Sequence, residues 1–137
     1  MQTNLESLYR PLWLTYGLVP LLAGLDKFLN LLTDWPKYLS PAIAGLLPVS
    51  AETFMQAVGI IEIAVGLMVL TRWTRLGAWI AMAWLVLIAV NLVTLGMFDI
   101  AVRDLAMAVG AYTLARLAEL RQESPAAAPA TLRESRA

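Results

Sequence analysis

Four long apolar runs separated by short polar breaks dominate the chain. They cover residues 11–32, 53–71, 76–95 and 100–117, each close to the roughly 20 residues a helix needs to cross a bilayer. The second and third are joined by "RWTR" (Arg72–Arg75) and the third and fourth by "GMFD" (Gly96–Asp99), links too short for anything but antiparallel helical hairpins. The pattern therefore predicts an all-α integral membrane protein. Its expected architecture is an antiparallel four-transmembrane-helix bundle formed by residues 1–121.

The longest connection, "TDWPKYLSPAIAGLLPVSAE" (residues 33–52), holds three prolines, yet its "AIAGLL" stretch is apolar. A short interfacial helix lying against the bilayer is expected there, in the first outer loop. Ser50 is placed to cap the second span, with Glu52 in its first turn. The tail at 122–137, "QESPAAAPATLRESRA", is rich in alanine and proline with scattered charge, a composition expected to be disordered.

Composition agrees with the pattern. Of 137 residues, 60% are hydrophobic and the mean hydropathy is +0.70, above the range of an ordinary soluble domain. Net charge is zero, and there is no basic-aromatic patch to suggest a nucleic-acid partner. Cysteine and histidine are both absent. That removes thiol redox chemistry, disulfides, cysteine-ligated iron–sulfur clusters and the usual haem and zinc ligands. No intrinsic cofactor and no metal site are expected, and electron transfer would need a bound organic molecule or a partner subunit.

Charge also sets an expected orientation. Four crossings place Arg10, Arg72, Arg75, Arg116, Arg121, Arg133 and Arg136 on one side, with only Lys37 in a loop on the other. The side rich in arginine is then cytoplasmic, and both termini with it. Tyr9, Trp13, Trp73 and Trp79 cluster near that boundary, while Trp35, Tyr38 and Phe98 mark the outer one. The opening "MQTNLESLYR" lacks a basic n-region and precedes too long an apolar run to be a signal peptide.

The remaining signal is the ionisable groups inside the spans. With a rise of about 1.5 Å per residue, Asp26 lies about 9 Å below the outer end of its span, Asp104 and Asn91 about 6 Å, and Glu62 about 14 Å. All four spans thus bring polar groups to the outer half of the membrane. Gly17, Pro20, Gly24 and Lys27 share one face of the first helix, and Gly59, Glu62 and Gly66 share one of the second. Small residues let membrane helices approach closely, so both charged side chains are expected to point into the bundle. Arg103 shares a face with Met107 and Gly110.

A charge near the bilayer centre costs roughly 2.5–3.5 kcal/mol on insertion scales, so partners are needed. Lys27 and Arg103 stand against Asp26, Glu62 and Asp104. One acid is left over, and Glu62, the deepest, is expected to be neutral or ion-bound. Two readings follow. The charges either lock the register of helices that lack a hydrophobic drive to associate, or they line an outward-facing pocket for a polar headgroup. Asn91 alone suits interhelical glue. Trp79 and Trp84 on the third helix could stack a ring, although belt anchoring accounts for the first.

The segments "GLVPLLAGLDKF", "MQAVGIIEIAVGLMVL" and "NLVTLGMFDIAVRDLAMAVGAYTLA" together resemble the DoxX-like family of small four-helix membrane proteins, over about residues 10–118. The resemblance implies a multi-pass protein of the bacterial cytoplasmic (inner) membrane with a link to quinone-dependent oxidoreductases. Family members include a small subunit of a thiosulfate:quinone oxidoreductase. Carried over at matching polar positions, the implied site is Asp26, Lys27, Glu62, Asn91, Arg103 and Asp104. Expected partners are membrane lipids, a quinone, and a protein subunit or further copies of the chain. A ligand-free anchor or assembly subunit is the second expectation.

Overall fold

The computed structural model describes residues 2–126, and these form helices and short connections with no strand. In chain order, α1 spans Gln2–Leu29. A 3-10 turn at Trp35–Tyr38 and the one-turn α2 (Pro41–Ala44) follow, then α3 (Ala51–Leu70), α4 (Thr74–Thr94) and α5 (Phe98–Ala126). Ser50 caps α3 as expected, its Oγ accepting from the Thr53 amide at 3.2 Å.

Three boundaries differ from the hydropathy pattern, each for a local reason. α1 begins at Gln2, so Pro11 lies inside it. The residues before Pro11 are polar but ion-paired: Arg10 and Arg121 both reach Glu6 at 3.1 Å. At its other end α1 stops at Leu29, because Asn30 turns left-handed (φ 52) and its amide closes on the Asp26 carbonyl at 2.6 Å; asparagine tolerates that conformation better than most residues. α5 continues through Ala126, which makes the first residues of the expected tail helical. Residues 127–137 lie outside the described residues, and with them most of the expected disorder.

α1 (over Asn4–Leu29), α3 and α4 are long and apolar enough to cross a membrane. α5 is as long, but Asp99, Arg103 and Asp104 sit in its first two turns, and it is not among the three. The distribution of side chains is inverted relative to a water-soluble protein. Leu22, Leu29, Ile60, Leu87, Val90 and Val102 are exposed, whereas Asp26, Lys27, Glu62 and Thr74 are buried. Apolar surface on this scale needs an apolar surrounding, and the chain has the build of an all-α membrane protein.

Two close approaches fix α1 on α3. A Cβ on Gly24 would stand 2.5 Å from the Gly59 carbonyl oxygen, and one on Gly66 would stand 2.6 Å from that of Gly17. Only glycine allows the two backbones to touch at these points. Because Gly24 meets Gly59 and Gly17 meets Gly66, the two helices run antiparallel. α5 lies antiparallel to α1 as well: Glu6 reaches Arg121, and the Tyr16 hydroxyl donates to the Met107 carbonyl at 2.6 Å.

The α4–α5 hairpin turns at Gly96 (φ 75). There the Met97 amide bonds the Leu92 carbonyl and the Gly96 amide bonds that of Val93, both at 3.0 Å, the double closure of a Schellman cap. The core between the four helices is built largely from small residues, among them Ala78, Ala81, Ala111 and Ala115, with Val69 and Leu114 filling the space between them.

The bundle therefore has two distinct ends. One carries the 30–50 connection and the Gly96 turn. The other carries Glu6, Arg10, Arg72, Arg75, Arg116, Glu119 and Arg121, and is termed the arginine end below.

Candidate functional site

Below the connection at the loop end, Lys27 of α1 and Glu62 of α3 meet. Lys27 Nζ donates to Glu62 Oε2 at 2.6 Å, with 4% and 10% of the two side chains exposed. Both residues lie beside the glycine seam, since Lys27 is three residues past Gly24 and Glu62 three past Gly59. The close backbone approach brings the two side chains together. Trp35 lies over them, its ring 3.7 Å from Lys27 Nζ in a cation–π contact. The lysine therefore has a carboxylate on one side and an aromatic face on another, which offsets the loss of its hydration.

Trp84 of α4 completes this group. Its indole Nε1 is buried beside the Glu62 carboxylate without reaching hydrogen-bonding geometry, and it is without a partner among the described residues. Asp104 of α5 is half-buried and close enough to Glu62 for the carboxylates to repel. Three helices thus contribute to one polar group, Lys27, Glu62 and Trp84, with Asp104 of α5 within electrostatic range of it.

The other expected site residues are placed elsewhere. Asp26 is buried next to Lys27, but its carboxylate is taken up by the chain leaving α1. Oδ1 accepts from the Leu31 amide and Oδ2 from the Leu32 amide, each at 3.0 Å, and Oδ2 also accepts from Trp35 Nε1 at 2.8 Å. Asp26 is in effect the clamp that holds Trp35 over Lys27. Asn91 is likewise used by the connection: Oδ1 accepts from the Ser40 amide at 3.0 Å, and Nδ2 donates to the Tyr38 carbonyl at 2.6 Å. It docks the loop on α4 and does not face the charges.

Arg103 is exposed and makes no ion pair among the described residues. It stands beside the cluster, not in it. Glu62, expected to be the acid left over, is the one bonded to lysine; neither Asp26 nor Asp104 forms an ion pair among the described residues, and Asp26 is held by the Leu31 and Leu32 amides and the Trp35 indole instead.

The expected site omitted Trp35 and Trp84, although both are visible in the sequence. A second missed signal lies in α5. Ala101, Asp104, Ala108, Ala111, Ala115 and Ala118 recur at spacings of three and four, and this stripe of small residues faces the other helices. Asp104 lies in it and Arg103 lies off it.

At the arginine end a different polar group forms around Glu119. Its carboxylate accepts from Trp79 Nε1 at 3.2 Å and Arg75 Nε at 3.1 Å, and Arg116 also bonds to it. The Trp79 indole, with Arg116 and Arg75 beside it, holds the Glu119 carboxyl below the usual carboxylate range. Trp79 is fixed further by edge-on packing against Tyr112, with ring centroids 5.6 Å apart.

Comparison with protein-family models, with curated proteins and with solved structures finds no match to this chain.

Proposed function

We propose that this chain is a four-span subunit of a bacterial cytoplasmic membrane, of the DoxX-like kind. It would bind a quinone, or a similar carbonyl-bearing amphipathic ring, at the cluster of Lys27, Glu62, Trp84 and Asp104. In this reading the loop end faces outward and the arginine end is cytoplasmic, as the balance of basic residues requires. α5 is the fourth span. Its few charges lie in its first turns, where side chains can reach the interface.

The observation that carries the proposal is the indole N–H of Trp84, buried beside the Glu62 carboxylate of the ion pair but outside hydrogen-bonding geometry with it, and without another partner among the described residues. A ligand carbonyl oxygen would compete with the Glu62 carboxylate for this donor. Trp84 would hold the ring through that hydrogen bond, and Lys27 would place a positive charge beside it. A bound quinone supplies acceptance of two electrons and two protons. The chain itself contributes carboxylates that can exchange a proton, Glu62 and Asp104, and Trp35 keeps water from Lys27. Electrons would come from a partner protein.

The test is equilibrium binding of decylubiquinone to the full chain in nanodiscs. Saturable binding is expected, weakened about tenfold in Trp84→Phe, the loss of roughly one hydrogen bond. Binding that is absent, or equal in both proteins, rejects the quinone reading.

One observation favours a second reading, an anchor or assembly subunit without a ligand. Lys27 and Glu62 already satisfy each other under the Trp35 lid, an arrangement that can serve simply to join α1 to α3. This reading expects purified native complexes to hold a stoichiometric protein partner and no small molecule.

A further inference from the structure

The arginine end holds a groove of about 500 Å³ lined by Arg72, Trp73, Arg75, Leu76, Trp79 and Gln122. We propose that it binds the phosphate headgroup of an anionic phospholipid. Arg72 is exposed, forms no ion pair among the described residues and lies 5.9 Å from the Trp73 ring. Arg75 gives only its Nε to Glu119, which fixes the guanidinium and leaves its terminal nitrogens directed away from that bond. Two guanidinium groups, one of them anchored, suit the oxygens of a phosphodiester.

The surrounding charge has the same sign. Arg10, Arg72, Arg75, Arg116 and Arg121 face only Glu6, Glu119 and Glu123 at this end, among the described residues. The groove's two indole walls are held differently. Trp79 is held by Glu119 and Tyr112, while Trp73 is half exposed and presents its ring to the groove beside Arg72.

A lipid is favoured over a soluble anion by what continues from the groove. Leu76, Ile80, Ala83 and Leu87 are all exposed along α4 at helical spacing, a straight apolar track for an acyl chain that starts where the arginines end. This inference rests on the bilayer placement of α4. It is independent of the Lys27–Glu62 cluster, so failure of quinone binding leaves it standing.

The experiment is native mass spectrometry of the detergent-solubilised full chain with added phosphatidylglycerol or phosphatidylcholine. The wild type is expected to retain phosphatidylglycerol preferentially. Arg72→Gln should lower its occupancy constant about fivefold and Arg72→Gln/Arg75→Gln about twenty-five-fold, with Lys37→Gln at the opposite end unchanged. Circular dichroism checks folding. Should the double variant lose helicity, Arg72→Gln alone decides, since Arg72 holds no structural bond. Equal retention of the two lipids, or phosphatidylglycerol binding unaffected by Arg72→Gln, overturns the proposal. Displacement of phosphatidylglycerol by millimolar inorganic phosphate would overturn its lipid assignment in favour of a soluble phosphate.

Discussion

Replacing Lys27 by methionine removes the cation from a pair that is almost wholly buried, with 4% and 10% side-chain exposure, and strands the Glu62 carboxylate. At a charge separation of about 4 Å and an effective dielectric near 20, the attraction lost is about 4 kcal/mol. The cation–π contact with Trp35 contributes a further ~1 kcal/mol. Protonation of the stranded acid recovers part of this, so Lys27→Met is expected to cost about 3–5 kcal/mol. Lys27→Met/Glu62→Met should return most of that loss, because two apolar side chains leave nothing to desolvate. The assay is equilibrium unfolding in mixed micelles with a rising fraction of dodecyl sulfate, followed by far-ultraviolet circular dichroism. A single-variant cost below about 1 kcal/mol, or a double variant no more stable than Lys27→Met, would falsify the view that this pair carries the α1–α3 junction.

Four further outcomes are expected. Asp26→Asn removes one of two acceptor oxygens serving three donors, so it should cost about 1–3 kcal/mol and speed hydrogen exchange at the Leu31 and Leu32 amides; unchanged exchange contradicts the clamp. Gly59→Ala places a Cβ 2.7 Å from the Gly24 carbonyl oxygen and should cost about 1–3 kcal/mol in the same unfolding assay, whereas a neutral result means that the seam is looser than described. Gly96→Ala meets no atom within 4 Å but forces alanine to φ 75, at a cost of about 1 kcal/mol from backbone strain alone. Glu119 is depressed in the fold, so its stabilising contribution is complete above the unfolded carboxyl value of about 4.3 and is lost as pH falls through the lower folded value. The stability gap between wild type and Glu119→Gln should therefore close on acidification below about pH 4, and a gap unchanged down to pH 2 would contradict this.

Much of this arrangement is legible in the sequence because it depends on periodicity. Gly17 with Gly24, and Gly59 with Gly66, each repeat at seven residues, which places Lys27 and Glu62 on the facing seam. The Ser50 cap and the one-sided arginines are equally local signals. Asp26 and Asn91 are different. They are ordinary intramembrane polar residues until the chain turns at Asn30 and folds Trp35–Ser40 back over the helix ends, and that return is not encoded in hydropathy. Spacing puts Arg103 on one face of α5 with Met107 and Gly110, but the buried stripe of α5 is centred on Ala101, Asp104 and Ala108. A shift of one residue, about 100° around the helix, moves Asp104 into the bundle and Arg103 out of it. The interior face here is marked by small size and not by apolarity, since both faces of α5 carry apolar residues.

The absence of native cysteine allows the transmembrane arrangement of the bundle to be tested by single-cysteine labelling. Single substitutions Lys37→Cys at the loop end and Gln122→Cys at the arginine end are exposed to a membrane-impermeant maleimide in intact bacterial spheroplasts and again after permeabilisation. Labelling of position 37 is expected in both conditions and of position 122 only after permeabilisation, with Leu22→Cys unlabelled in either. Labelling of both ends from the same side, or ready labelling at position 22, would contradict a bundle that crosses the bilayer with its charged pair enclosed.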